Sequence, residues 1–148
     1  MKIDRRKLRG WLYRNATPVN VEYGDVFCYT LSTQTVTVSE ELPLNINWYI
    51  NHCKHLGMKY DVQWWVLCLL HEIGHDQTIF FLNEFEYLLD WVSCICETPS
   101  FTMFGAWLKN QIYFRLPAER AATNWVVDLV NNHIDEVREL ERYVKVSR

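Results

Sequence analysis

Trp64-Trp65-Val66-Leu67-Cys68-Leu69-Leu70-His71-Glu72-Ile73-Gly74-His75-Asp76 is the stretch on which the reading of this chain turns. An unbroken apolar run, Trp64–Leu70, leads straight into His, Glu and His. Trp65, Leu69 and Ile73 recur at i, i+4 and i+8, which is helical spacing. Asp61 stands where an N-cap belongs. The pattern predicts a helix over Val62–Asp76, buried on most of its sides. On such a helix residues i and i+4 share a face, so His71 and His75 point the same way, one turn apart. Two imidazole nitrogens so placed can hold one zinc ion. Glu72 then lies beside the open coordination position, where a carboxylate serves as general base rather than as ligand. Gly74, lacking a side chain, lets another backbone come close. The ordinary alternative is a solvated helix face carrying two His and a Glu. It is a poor fit directly after so apolar a segment.

A catalytic zinc commonly takes three protein ligands and leaves one position open. No His follows at the offset of ten or eleven residues used by longer His-rich motifs. The downstream donors are Glu84, Glu86, Asp90, Glu97, Glu119, Asp128 and His133. Glu119 is preferred. It sits in the first turn of a helix predicted to start at Pro117 and continue over Ala118–Val130, and Ala118, Ala121 and Ala122 surround it. Small side chains permit close packing of that helix against the motif helix. The competing reading of Glu119 is a carboxylate that complements a helix N-terminus, worth about 0.3–1 kcal/mol. Spacing alone does not choose between the two.

Working outward, Asp4–Arg14 reads as a short helix with Leu8, Trp11 and Leu12 on one face, ended by Thr17-Pro18. Val26–Leu31 and Thr35–Ser39 are rich in β-branched and aromatic residues, and Ser32-Thr33-Gln34 can join them as a hairpin. A third strand over Val19–Tyr23 stays open. Asn45–Leu56 reads as a helix after Pro43, with Ile46, Tyr49, Ile50 and Cys53 on one side and Gly57 as its stop. Thr78–Glu97 reads as a further helix, broken by Thr98-Pro99-Ser100. Phe101–Phe114 has no clear period. Asn131-Asn132 interrupts the helix after Pro117, and a charged tail, Ile134–Lys145, follows. The expected fold is α+β, a small antiparallel sheet packed on helices, forming one domain over residues 1–148.

Charge narrows the function. The net charge is −3, whereas a nucleic-acid binder needs a basic face, so nucleic acid is an unlikely partner. Lys2, Arg5, Arg6, Lys7, Arg9 and Arg14 crowd the N-terminus; the plain reading is a solvated helix face, the sharper one a basic arm for an acidic partner. Cys28, Cys53, Cys68, Cys94 and Cys96 are odd in number and show no C-x-x-C spacing. The C-x-C of Cys94 and Cys96 is a weak metal signal. No signal-type segment follows the basic N-terminus, so reduced thiols in a cytoplasmic protein are expected. No apolar run approaches the roughly 20 residues that span a bilayer.

Three pieces together, Thr35–Ser39, His71-Glu72-Ile73-Gly74-His75 and Glu119-Arg120-Ala121-Ala122-Thr123-Asn124-Trp125, resemble the ImmA/IrrE-type metallopeptidases, small gluzincin-like zinc proteins common in phages and mobile elements. The resemblance implies a zincin-like fold and a role for Glu119 as third zinc ligand. It implies packing roles for Ala122 and Trp125, and an edge strand at Thr35–Ser39 beside the cleft. Ala121 stands where that pattern usually has a second Glu, and Thr123 where it has Asp or Asn. The segment between His75 and Glu119 is long and aromatic. The expected activity is a zinc-dependent endopeptidase, with Glu72 as general base; the oxyanion donor is unidentified, with Tyr113 and His133 as candidates. Its substrate would be a protein or peptide; the resemblance suggests a regulatory protein such as a repressor. The rivals are a zinc-containing regulatory or interaction protein without peptidase activity, and a metal-free binding module that uses exposed aromatic residues.

Overall fold

In a computed structural model the chain is described over residues 2–15, 20–39, 46–78, 112–113 and 116–145. The expected helix over Thr78–Glu97 beyond its first residue, which here ends the preceding helix, the break at Pro99 and most of Phe101–Phe114 lie outside these residues. So do Pro18, Pro43, Glu84, Glu86, Asp90, Glu97, Cys94 and Cys96.

The motif helix is the centre of the molecule. It runs Trp64–Thr78 and is here α3, after α1 (Arg5–Asn15) and α2 (Ile46–His55). Every residue from Trp65 to Leu70 is buried, as the unbroken apolar run requires. Its start differs from expectation. Asp61 is an exposed partner of Lys54, 2.7 Å away, and does not cap the helix. The chain end of the molecule supplies the acceptor instead: the Gln63 N–H donates to Glu141 Oε1 at 2.7 Å. A carboxylate there also complements the positive end of the helix dipole.

Two further helices follow, α4 (Pro117–Asn132) and α5 (Ile134–Glu141), so what reads as a charged tail is a helix with Val137 and Leu140 in the core. Helix α4 lies against α3 in the most extensive contact between any two elements described. Gly74 is the reason it can. A Cβ built there would stand 2.8 Å from the Ala122 carbonyl oxygen and 3.1 Å from the Ala122 Cα, so only glycine admits the second backbone. Gly57, with φ near 97°, closes α2 as expected.

The strands are β1 (Lys2–Ile3), β2 (Asn20–Tyr23), β3 (Cys28–Thr30), β4 (Thr35–Val38) and β5 (Val144–Lys145). The hairpin is present: β3 and β4 pair antiparallel, joined by a 3₁₀ turn over Leu31–Thr33 and by Gln34 in the left-handed region. The sheet is not purely antiparallel, however, because β2 pairs parallel to β4 with Asn20 opposite Thr35. The order is β2-β4-β3. Thr35–Val38 is therefore the central strand and not an edge. Thr35, Val36 and Val38 are all buried, beyond what a half-buried alternating strand would show. Among the described strands, Cys28–Thr30 is the outer one that contacts α3.

Trp65 ties α3 to the sheet by donating its indole N–H to the Ser39 carbonyl at 2.8 Å. Trp11 likewise anchors α1 by donating to the Glu136 carbonyl of α5 at 2.8 Å. Lys2–Ile3 pairs antiparallel with Val144–Lys145 beside it. Arg5, Arg6 and Arg9 on the outer face of α1 line a groove of about 400 Å³ against Val21 and Tyr23, with the Arg5 guanidinium over the Tyr23 ring. The fold is thus mixed α+β and mostly helical, with five α-helices and a three-stranded sheet among the described residues. No helix there is long and apolar enough to cross a membrane.

Candidate metal centre

Helical periodicity sets the first half of the site. His71 and His75, one turn apart on α3, have ring centroids 4.8 Å apart and nearly perpendicular planes. The close approach at Gly74 sets the second half, since it brings the first turn of α4 over the same face. Glu119 arrives there with no exposed surface at all. One of its oxygens, Oε2, faces both rings, 3.0 Å from His71 Nε2 and 3.5 Å from His75 Nε2. His71, His75 and Glu119 offer ligand atoms that all lie within 4.8 Å of one another.

This spacing can be tested against an ion. Two donors each 2.0–2.2 Å from a tetrahedral zinc stand about 3.3–3.6 Å apart. The His75–Glu119 separation of 3.5 Å falls inside that range and the His71–Glu119 separation of 3.0 Å lies just short of it, so uptake of an ion needs only small side-chain adjustments. Two imidazoles and one carboxylate are also a donor set that zinc accepts. The residues fit a divalent transition metal.

Electrostatics agree with a site built around shared charge. Burial opposes ionisation of Glu119, but hydrogen bonds from His71 and His75 outweigh it and hold the carboxyl well below its ordinary range. Burial also opposes a charge on His75, yet the hydrogen bond and charge of Glu119, with Glu72 behind it, raise that imidazole. Glu72 is partly buried beside the two His. Desolvation raises its carboxyl above 4.5, against the pull of His71, His75 and the Tyr29 backbone N–H. A carboxylate whose affinity for a proton is lifted in this way is a better general base near neutral pH.

Of the other expected donors, Asp128 and His133 are far from the site. They lie nine and fourteen residues beyond Glu119 on α4, or about 14 and 21 Å along a helix rising 1.5 Å per residue. Both are exposed, and His133 faces Glu136 of α5. His133 is thereby removed both as ligand and as oxyanion donor. Tyr113 stays at the right end of α4: it packs on the core, and its carbonyl accepts the Leu116 N–H just before Pro117. Ala122 is fully buried and Trp125 packs against the core, as the resemblance implies.

Three residues of the site carry no sequence signal pointing to it. Tyr29 of β3 lies parallel to the His75 ring at 6.5 Å and donates its hydroxyl to the buried Asp76 at 2.8 Å. Asp76 also accepts from Gln77 Nε2 at 3.0 Å. Tyr49 of α2 places its hydroxyl 3.0 Å from His71 Nδ1. Its helical face was legible in the sequence; the partner it faces was not.

No protein-family model matches this chain, and the comparisons with curated proteins and with solved structures found no significant match either.

Proposed function

We propose that this protein is a zinc-dependent endopeptidase of the zincin kind, similar to the ImmA/IrrE-type enzymes, acting on a protein or peptide such as a regulatory protein. The observation that carries this reading is the meeting of His71, His75 and the wholly buried Glu119 around one point, with Glu72 on the same helix beside it. A buried carboxylate without a cation partner is costly. Bringing it between two imidazoles is economical only if the three share a charge, a proton or a metal.

His71, His75 and Glu119 would hold the zinc, which when bound supplies Lewis acidity to polarise the scissile carbonyl and to acidify water. Glu72 takes the proton from the attacking water and returns it to the leaving amine. Its raised carboxyl suits both transfers. Tyr113, at the Glu119 end of α4, is the candidate oxyanion donor. An extended substrate would lie along the outer edge of Cys28–Thr30, the strand that borders α3, by strand addition.

The test has two stages. Purified protein dialysed against metal-free buffer and reloaded with zinc should retain about one ion per chain, and His71→Ala should retain none. A peptide library at neutral pH should then be cut by the wild-type protein and not by Glu72→Gln. Zinc retention with no cleavage of any peptide, and Glu72→Gln fully functional in a biological readout, would replace the peptidase by a zinc-containing regulatory protein.

A further inference from the structure

Tyr49 stands on α2, in a different element from each of the residues that converge on Glu119. It is almost wholly buried, and its hydroxyl meets Nδ1 of His71, the ring nitrogen turned away from Glu119. Cys53, one turn along α2, and Thr123, one turn beyond Glu119, lie close enough to the same hydroxyl to influence it. Thr123 in turn donates to the Glu119 carbonyl at 2.7 Å. The phenol thus stands where the helix of the first His meets the helix of the Glu.

A hydroxyl both donates and accepts, and an imidazole has two distinct nitrogens. When His71 Nε2 shares a proton with Glu119, Nδ1 is bare and Tyr49 can donate to it. When Nε2 is given up to a metal, Nδ1 carries the hydrogen and the phenol oxygen can accept it. Rotation about one C–O bond converts one arrangement into the other, and the imidazole keeps its place.

We propose that Tyr49 is the positioning residue of the metal centre, holding His71 Nδ1 in both protonation arrangements so that Nε2 is already aimed at the ion. The inference rests on the metal-site reading above. Groups that hold the second nitrogen of a metal-bound His commonly set affinity by 10–100-fold.

Tyr49→Phe keeps the ring and removes only the hydroxyl. Competition of the protein with a chelator for zinc alone should show roughly 10–100-fold weaker binding by this variant. Cys53→Ala loosens packing around the same ring but leaves the bond to His71; its zinc affinity should stay within about twofold of wild type. A merely structural role for the ring predicts the reverse order, and that result overturns the proposal. If Tyr49→Phe does not fold, the zinc-loaded wild-type protein still decides: the His71 Nδ1–H proton should appear by NMR as a slowly exchanging, hydrogen-bonded signal. Rapid exchange of that proton overturns the inference with zinc in place. A wild-type protein that takes up no zinc overturns the metal centre itself, and the inference with it.

Discussion

Glu119 shows how much one side chain depends on its setting. In a solvated first turn it would complement a helix dipole; here burial strips it of water and two imidazoles replace that water. Glu119→Ala should therefore abolish zinc retention, whereas Asp128→Ala, well along the same helix and exposed, should not alter it. Elemental analysis of the two dialysed variants checks this. Glu72→Gln should keep metal and fold but slow hydrolysis by at least about 10²–10⁴-fold, because an amide of the same shape cannot accept the proton. The measurement is cleavage rate beside zinc content, and equal rates would remove Glu72 as base. The pair His75–Glu119 also gives the metal-free protein a pH dependence. His75 is raised, so its contribution to stability is complete below its ordinary value of 6.5 and is lost as pH rises through the raised one. Glu119 is depressed, so its contribution is present above 4.5 and is lost only as pH falls toward its lowered value. Zinc requires unprotonated imidazoles and works in the opposite sense. The rise in melting temperature on adding zinc should therefore grow from about pH 5.5 to about pH 7.5; a constant increment would count against these ligands.

Among the elements, the contact of α3 with α4 is the one on which the site depends. Gly74→Ala would gain up to about 1 kcal/mol of helix propensity. It would also force a methyl against the Ala122 backbone at 2.8 Å, and backbone cannot swing aside as a flexible side chain can. Overpacking of this sort costs about 1–3 kcal/mol, so the variant should be less stable and hold zinc more weakly, since Glu119 moves with α4. Denaturant melts with and without zinc would show it, and a stabilised variant would mean that the helices are less tightly apposed. Strand β3 is fixed differently, by the Tyr29 hydroxyl on the buried Asp76. Tyr29→Phe leaves that carboxylate with one donor fewer, at a cost of about 1.5–3 kcal/mol. If β3 borders the peptide cleft, the variant should also raise KM more than it lowers kcat.

At the scale of the molecule, the candidate metal site draws together elements from both halves of the sequence. The α3 face is positioned by a sheet from the first forty residues, and Glu119 by a helix nearly fifty residues after His71. Zinc bound to the folded chain alone adds stability as RT ln(1 + [Zn]/Kd), about 4 kcal/mol at a thousandfold excess over Kd. Chelation should thus lower the melting temperature of the wild-type protein and leave that of His71→Ala unchanged. An identical shift in both would place the ion elsewhere.

The sequence by itself determined the parts whose signal is local. The period of Trp65, Leu69 and Ile73 placed the motif helix, the i, i+4 spacing put His71 and His75 on one face, and Pro117 marked the start of the helix that carries Glu119. Gly74 and Gly57 could be read because each answers a steric demand of the backbone itself. What remained open depended on partners distant in the chain. Which strand is central cannot be read from Thr35-Val36-Thr37-Val38, because alternation reports one buried face and is silent on how many neighbours the strand has. Asp61 looked like a cap, yet Glu141, 80 residues away from it, meets the start of α3; hydrogen-bond acceptors are chosen by distance in space. Glu119 is already preferred among the downstream carboxylates for its small neighbours, but only the packing of α4 at Gly74 brings it onto His71 and His75 and decides between ligand and helix-end carboxylate. Tyr49 and Tyr29 came to the site in the same way, since a tyrosine on a buried face reads as core until the group opposite its hydroxyl is known.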